Sequence, residues 1–173
     1  MTGAALILMC GRSFSGKSTV AGRIADALGV EIVSLDSINE ERGLAGGQGI
    51  PIEEWVRTNQ EAAGRVRLGL KSGKRMLVDD TSSPRFLRDD WRRVAADMDA
   101  GFVLVYVNAP EHVIRERLAA NRRELGRHDV AEAVFDEHLD GFEPPDALEE
   151  PLVTSSSTED VSALVAAIHH AIS

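Results

Sequence analysis

Short apolar runs alternate with longer amphipathic segments along the chain. The runs are rich in Val, Ile and Leu, which is typical of strands buried on both faces of a sheet. The segments between them repeat apolar residues with helical periodicity. This alternation predicts an α/β fold with a parallel sheet. The predicted strands cover residues 5–10, 31–35, 75–78, 102–107 and 152–154.

The segments between the strands carry recognisable helix starts and ends. Gly29 lies where a helix over residues 17–28 should stop, and Pro84 and Pro110 lie where first helical turns should begin. Right-handed crossovers then place helices on both faces of the sheet, as in a three-layer α/β/α sandwich. The predicted helices cover residues 17–28, 37–42, 52–70, 84–98, 110–124, 130–139 and 159–172, the last one behind the cap candidates Ser157 and Thr158.

Length and composition are compatible with one domain spanning residues 1–173, because 43% hydrophobic residues are enough for one ordinary core. Cys10 is the only cysteine, so no internal disulfide can form, and its apolar neighbours indicate a core position. The apolar run near the start is about a third of a membrane span, and no basic leader surrounds it. We therefore expect a cytoplasmic protein that does not bind membranes.

Charge is distributed unevenly along the chain. The formal net charge is −9, yet residues 129–173 contain eleven carboxylates and no Lys or Arg, so residues 1–128 carry about +2. Five arginines cluster between residues 115 and 127, which suits a polyphosphate better than a long nucleic acid. A solvated helix face is the alternative explanation for these arginines.

One segment matches the complete G-x-x-x-x-G-K-[ST] pattern of a phosphate-binding loop. An apolar strand precedes it and a helix follows it, which is the context needed for backbone N–H groups to point at phosphates. In this arrangement Lys17 reaches the β and γ phosphates of ATP, and Ser18 is a ligand of Mg²⁺. The predicted nucleotide-binding residues are Gly11, Ser13, Phe14, Ser15, Gly16, Lys17, Ser18 and Thr19.

Carboxylates follow two predicted strands at the edge of the sheet where ligands bind in open parallel folds. Asp36 follows the second strand and is the candidate general base for an attacking hydroxyl, although it could instead cap the next helix. Asp79 follows the third strand and is the candidate Mg²⁺-associated carboxylate, although an Asx turn would also explain it. Asp80 is expected to have a structural role rather than a catalytic one, in contrast to its neighbour Asp79.

A helix-loop-helix lid is predicted over residues 115–140. Phosphoryl transfer depends on positive groups around the moving phosphate, and closure of a lid excludes competing water. Arg122, Arg123 and Arg127 lie at the break between the two lid helices and are the candidate catalytic arginines. Arg115 and Arg117 lie earlier on the helix and are expected to pair with acidic side chains or solvent. Trp55, Trp91 and Phe86 are expected to pack on the sheet, although Trp55 borders a Gly-rich loop and could contact substrate.

These residues resemble the small AAA-type P-loop kinases grouped around zeta toxins, chloramphenicol phosphotransferase and the kinase domain of polynucleotide kinase. The resemblance depends on GRSFSGKST, on LDS at Asp36, on LVDDT at Asp79, on the basic stretch NRRELGRHDV and on FEPP at residues 142–145. It implies that Asp36 is the general base and that lid arginines bind phosphates. The stretch at residues 16–29 is also similar to shikimate and gluconate kinases, but the glycine-rich turn of shikimate kinases is replaced here by Asp79-Asp80-Thr81-Ser82-Ser83.

The sequence therefore predicts an ATP- and Mg²⁺-dependent kinase that phosphorylates a hydroxyl of a small molecule, either a metabolite or an antibiotic. A polynucleotide 5′-hydroxyl kinase is an alternative, for which Arg42, Arg85 and Arg88 could form a basic path, although the acidic last third argues against it. A second alternative is a nucleotide-dependent switch protein without kinase activity. No Asn-Lys-x-Asp motif of GTPases occurs. The acceptor, the choice between ATP and GTP, and the oligomeric state stay open.

Overall fold

The computed structural model describes residues 3–44, 49–124, 131–155 and 161–173. Their strands form one five-stranded sheet in the order β2-β3-β1-β4-β5, and every neighbouring pair is parallel. This confirms the predicted parallel sheet. The strands are β1 (Ala5–Cys10), β2 (Glu31–Ser34), β3 (Arg75–Asp79), β4 (Gly101–Val107) and β5 (Leu152–Thr154).

Helices cover both faces of this sheet, which confirms the three-layer sandwich. No helix in the described ranges is both long and apolar enough to cross a membrane. The helices are α1 (Lys17–Leu28), α2 (Leu35–Glu41), α3 (Ile52–Lys71), α4 (Arg85–Asp97), α5 (Glu111–Glu124), α6 (Glu132–Asp140) and α7 (Ser162–Ala171), with a 3₁₀ turn at Ala147–Glu149.

The central strand β1 explains why the strands are apolar throughout. All six of its residues are completely buried. Leu6, Leu8 and Cys10 pack in the core beneath α3 and α4, whereas Ala5, Ile7 and Met9 pack in the core beneath α1 and α7. Because both faces of the strand meet helices, neither face has polar residues.

Several predicted boundaries shift by one to three residues in the structure. Strand β2 ends at Ser34, because the Ser34 hydroxyl accepts a hydrogen bond of 3.3 Å from the Ser37 backbone N–H and caps α2. Asp36 therefore lies in the first turn of a helix rather than directly after a strand. Helix α7 begins at Ser162, later than predicted, and the cap candidates Ser157 and Thr158 lie outside the described residues.

Candidate active site

The phosphate-binding loop connects β1 to α1 and has the backbone geometry that its glycines permit. Gly16 adopts the left-handed conformation with φ of 89° at the N-cap of α1, a conformation that costs other residues energy. Gly11 lies so close to Val107 that an added Cβ would come within 2.9 Å of the Val107 carbonyl oxygen. The loop therefore turns tightly against the carboxyl ends of β1 and β4, where open parallel sheets bind ligands.

Lys17 and Asp79 meet at the start of α1. The Lys17 Nζ lies 3.9 Å from Asp79 Oδ1, and their side chains are 9% and 11% exposed. Asp79 Oδ1 is buried and has no hydrogen-bond partner among the described residues. Ser18, the next residue of α1, is exposed. A carboxylate and a hydroxyl oxygen are suitable ligands for Mg²⁺, which usually keeps few protein ligands alongside phosphates and water. Asp79 and Ser18 therefore fit this ion.

Asp36 lines a cleft that begins at the phosphate-binding loop. The sequence left open whether Asp36 caps α2, and the structure shows that Ser34 does so instead. Asp36 therefore lies in the first turn of α2 and on the lining of the cleft, beside the phosphate-binding loop.

Asp80 lines the same cleft, which the sequence analysis did not foresee. Its Oδ2 accepts a hydrogen bond of 3.0 Å from the Ser82 N–H, so the Asx-type turn considered for Asp79 belongs to Asp80. Burial raises the pKa of Asp80 above the ordinary aspartate range, and the charge of Asp36 acts in the same direction, whereas the positive charge of Lys17 opposes the shift.

The cleft is large, with a volume of about 1870 Å³. Residues of α3, α4 and α6 form its walls. Residues of α2 and of the phosphate-binding loop line one end, which we call the head of the cleft. The predicted core role of Trp91 is confirmed because it is 4% exposed, but Phe86 is 60% exposed rather than packed on the sheet. Trp55 also lines the cleft, and its contact with a substrate stays a prediction.

The two predicted lid helices are present as α5 and α6. They share an apolar cluster with the phosphate-binding loop, in which the rings of Phe14 and Phe135 meet edge to face at 6.2 Å. The cluster consists of Phe14, Ala109, Ile114, Leu118, Phe135 and Leu139. This packing connects the position of α6 directly to the loop that would hold phosphates.

The arginines of α5 do not follow the predicted division of roles. Arg117 was expected to pair with acids or solvent, but its Nη1 donates to the Phe14 carbonyl oxygen at 3.2 Å. Arg115 pairs with Glu111 as predicted, and also with Asp136 of α6.

The three candidate catalytic arginines lie at or beyond the end of α5. The Arg122 Nη1 lies 3.7 Å from Glu132 Oε2 of α6, and Arg123 is exposed in the last turn of α5. Neither lines the cleft. Arg127 lies outside the described residues. Their catalytic role stays a prediction.

The basic path suggested for a polynucleotide acceptor is not formed by its three arginines. Arg42 pairs with Glu54 and donates to Thr58, and Arg85 pairs with Asp146 at 2.9 Å. Arg88 is completely buried. Burial excludes Arg88 from such a path, and Arg42 and Arg85 are engaged in ion pairs. The polynucleotide alternative stays a prediction.

Arg12 is a cleft residue that sequence reasoning missed. It occupies a variable position of the loop pattern, so the pattern itself gave no signal. Its guanidinium carbon lies 5.4 Å from the ring centre of Phe142, and that ring stacks on Tyr106. A second positive charge therefore stands beside Lys17 at the head of the cleft.

The comparisons with known proteins agree with this geometry. The model of a family described as an AAA domain, AAA_33, matches residues 6–145. An uncharacterized protein of Mycobacterium tuberculosis is 30% identical over 125 residues, which cover 66% of this chain and 25% of that protein. The chain thus spans about a quarter of the length of this relative.

Solved kinase structures share the fold. A candidate kinase from Chloroflexus aurantiacus superposes with a TM-score of 0.82 at 18% identity and covers 100% of both chains. The APS kinase of Mycobacterium tuberculosis, solved with AMPPNP and APS, has a TM-score of 0.69 at 18% identity and covers 97% of this chain and 96% of its own. The chain therefore has the fold of small P-loop kinases, while the more specific resemblance to zeta toxins and chloramphenicol phosphotransferase stays a prediction.

Proposed function

Because the chain belongs to the AAA_33 family of AAA domains, we propose that it is a phosphotransferase that moves the γ-phosphate of Mg·ATP to a hydroxyl group of a small molecule. One observation carries this proposal: Lys17 of the phosphate-binding loop and Asp36 of α2 line the same cleft. A phosphate-binding cation and a candidate base thus share one site, as transfer to a hydroxyl requires.

The residues divide into those for the nucleotide and those for the acceptor. The loop from Gly11 to Thr19 holds the phosphates, and Lys17 neutralises charge on them. Ser18 and Asp79 would hold the magnesium ion. Bound Mg·ATP would supply the phosphoryl group, whose phosphorus bonds to the acceptor oxygen as ADP leaves with the electrons of the broken bond. Lid arginines on and after α5 would balance the spread of negative charge.

Asp36 receives the proton of the acceptor hydroxyl as the new oxygen–phosphorus bond forms. Asp80 is less suited to this role because its carboxylate already accepts the Ser82 N–H. It instead fixes the loop after β3. The assignment of Asp36 is supported by its place in the first turn of α2, on the lining of the cleft that also contains Lys17.

A small acceptor is favoured over a polynucleotide by the same cleft. Its walls are the sides of α3, α4 and α6, and the arginines that could have formed a nucleic-acid path are engaged in ion pairs. An extended strand would need a continuous row of available cations. The acceptor is thus a metabolite or an antibiotic.

The test is the substitution Asp36→Asn, assayed with γ-labelled ATP and a metabolite extract of the source organism. We expect ATP affinity to change less than twofold while transfer falls about a hundredfold, as loss of a general base does. Asp26→Asn, an exposed position on α1, is the matched control. Unchanged transfer in Asp36→Asn would remove Asp36 from the mechanism.

A second pair of variants tests the nucleotide site itself. Lys17→Ala should abolish transfer and weaken ATP binding, whereas Lys71→Ala, at an exposed position near the end of α3, should do neither. If the folded wild type binds no nucleoside triphosphate in the presence of Mg²⁺, the proposed function is wrong.

A further inference from the structure

Asn39 presents a buried amide to the acceptor cleft. It lies on α2 three residues after Asp36, so the two side chains share one face of the helix. Asn39 is 3% exposed and lines the cleft, yet its Nδ2 has no hydrogen-bond partner among the described residues. Buried amide donors are nearly always paired, so this donor requires an explanation.

A chain of hydrogen bonds fixes which end of the amide is presented. The Arg42 Nη1 donates to Thr58 Oγ1 at 2.6 Å, and Thr58 Oγ1 lies 2.6 Å from Asn39 Oδ1. Because a guanidinium has only donors, the Thr58 hydroxyl accepts from Arg42, and because an amide oxygen can only accept, the hydroxyl gives its own proton to Asn39 Oδ1. The amide oxygen is therefore occupied, and Nδ2 is the end left for another group.

Arg42 is itself held in place. Its Nη1 also donates to the Glu54 carbonyl oxygen at 2.8 Å, and its Nη2 pairs with the Glu54 carboxylate. Thr58 is completely buried. Thr58 and Glu54 of α3 and Arg42 at the end of α2 thus fix the orientation of the Asn39 amide. A binding residue needs such support to hold its donor in one position.

The surroundings of Asn39 disfavour an anionic acceptor. Asp36 and Glu40 line the head of the cleft, so a carboxylate or phosphate on the acceptor would be repelled there. The cations at the head, Lys17 and Arg12, belong to the phosphate-binding loop. Two arginines line the walls outside the head. Arg67 is near the end of α3, which leads to the start of β3 at the opposite edge of the sheet, and Arg93 pairs with Asp90.

The walls near the head are apolar instead. Ile52, Val56 and Phe86 are 70%, 48% and 60% exposed and all line the cleft beside Trp55. Large apolar side chains exposed together along a cleft mark a surface for an apolar ligand.

We propose that Asn39 Nδ2 donates to an oxygen of the acceptor close to the hydroxyl that Asp36 deprotonates. The acceptor is an uncharged hydroxylated compound whose apolar or aromatic body lies against Trp55, Val56 and Phe86. This inference rests on the proposed kinase function and specifies the substrate class of the same site.

The acceptor class is tested by fractionating a metabolite extract of the source organism at pH 7. Anion exchange separates a retained anionic fraction from the remainder, and reversed-phase chromatography then isolates the apolar part of that remainder. Each fraction is incubated with the protein and γ-labelled ATP. We expect label in the uncharged apolar fraction. Label confined to the anionic or the polar fraction would overturn the acceptor class while leaving the kinase function intact, and label in no fraction would overturn both.

The role of Asn39 is tested on the compound so labelled. Asn39→Asp keeps the shape but replaces the donor, and we expect kcat/KM for the acceptor to fall at least tenfold while KM for ATP changes less than twofold. Asn59→Asp adds the same charge to the same cleft, but the Asn59 Nδ2 already donates to the Trp55 carbonyl oxygen at 2.9 Å. Its effect should be clearly smaller. Equal losses in the two variants, or no loss in Asn39→Asp, would overturn the role of the donor.

Variants of Thr58 test whether its hydroxyl orients the Asn39 amide or whether its side chain only fills space. Thr58→Val removes the hydroxyl at nearly constant volume and frees the amide to turn, so acceptor KM should rise. Thr58→Ser keeps the hydroxyl and should restore an acceptor KM near that of the wild type. If the Val variant alters ATP and acceptor parameters equally, or Ser fails to rescue, Thr58 is only a packing residue and Asn39 is not oriented as proposed.

Discussion

Arg88 of α4 and Glu149 of the 3₁₀ turn form a bidentate ion pair inside the protein, with Nε–Oε2 and Nη2–Oε1 distances of 2.7 and 2.9 Å. Their side chains are 0% and 1% exposed. The remaining Nη1 of Arg88 donates to the carbonyl oxygens of Ser82 and Glu143. The pair thereby joins α4, the loop after Asp80 and the acidic segment after α6, so it holds one side of the cleft in place.

Glu149→Gln should destabilise the protein by about 3–5 kcal/mol, because it leaves the buried Arg88 charge without its partner. The hydrogen bonds from Arg88 lower the pKa of Glu149, so the stabilisation is present above the ordinary glutamate range and is lost as pH falls through the lowered pKa. Urea denaturation should therefore show a large difference in unfolding free energy between Glu149→Gln and the wild type at pH 7. This difference should become smaller at acid pH.

Glu31→Gln is the matched control for this substitution. It breaks the exposed pair of Glu31 with Lys74, and such surface pairs contribute at most about 1 kcal/mol. A loss in Glu149→Gln no greater than that in Glu31→Gln would contradict the structural role of the buried pair.

The sequence predicted the layers of this fold but not such a pair. The apolar runs and the loop pattern are local signals, so β1, the phosphate-binding loop and α1 were placed to within a residue. Arg88 and Glu149 are 61 residues apart, and nothing in their neighbourhoods shows that two charged residues are buried. Pairing across such distances depends on the packing of α4 against the segment after α6, which a single sequence does not encode in any short pattern.

Cys10 should be inert in the native protein. Burial in the core raises the pKa of its thiol from 9.0 to about 12, which lowers the reactive thiolate about a thousandfold at neutral pH. Modification by a thiol reagent at pH 8 should be slow without denaturant and fast in urea. In urea, one thiol per chain should be titrated. Rapid native labelling would contradict the burial of Cys10.

Asp80→Asn should stabilise the protein increasingly as pH rises. The native pKa of Asp80 is raised by burial, so the native state holds this proton more tightly than the unfolded chain. Stability from this group is complete below the unfolded pKa of about 3.9 and is lost as pH rises through the native value. The difference in unfolding free energy between Asp80→Asn and the wild type should therefore grow from pH 4 to pH 7.

The Lys17 charge provides a control for this effect. It lowers the pKa of Asp80, so the same comparison in a Lys17→Met background should show a larger dependence on pH. A difference that is independent of pH in both backgrounds would contradict the raised pKa.

The candidate site was predictable where roles follow from position in a motif, and not where they depend on helix faces. Lys17 and Asp79 meet because Asp79 ends β3, Lys17 follows the loop after β1, and these two strands are neighbours in the sheet. Arg117 was misjudged because spacing on α5 alone does not reveal which face packs against the loop at Phe14. Asn39 carried a signal in its i+3 spacing from Asp36, but its unpaired donor appears only once Thr58 of α3 is brought beside it.

Arg117 should matter more for catalysis than Arg123. Its Nη1 donates to the Phe14 carbonyl oxygen and so supports the phosphate-binding loop. We expect Arg117→Ala to reduce kcat/KM for ATP at least tenfold, Arg117→Lys to be intermediate because it loses the fork geometry, and Arg123→Ala, at an exposed helix end, to change it less than threefold. Steady-state kinetics measures kcat/KM for each variant, and calorimetry measures its affinity for ATP. A large loss in Arg123→Ala with none in Arg117→Ala would restore the sequence-based assignment of the lid arginines and remove Arg117 from the nucleotide site.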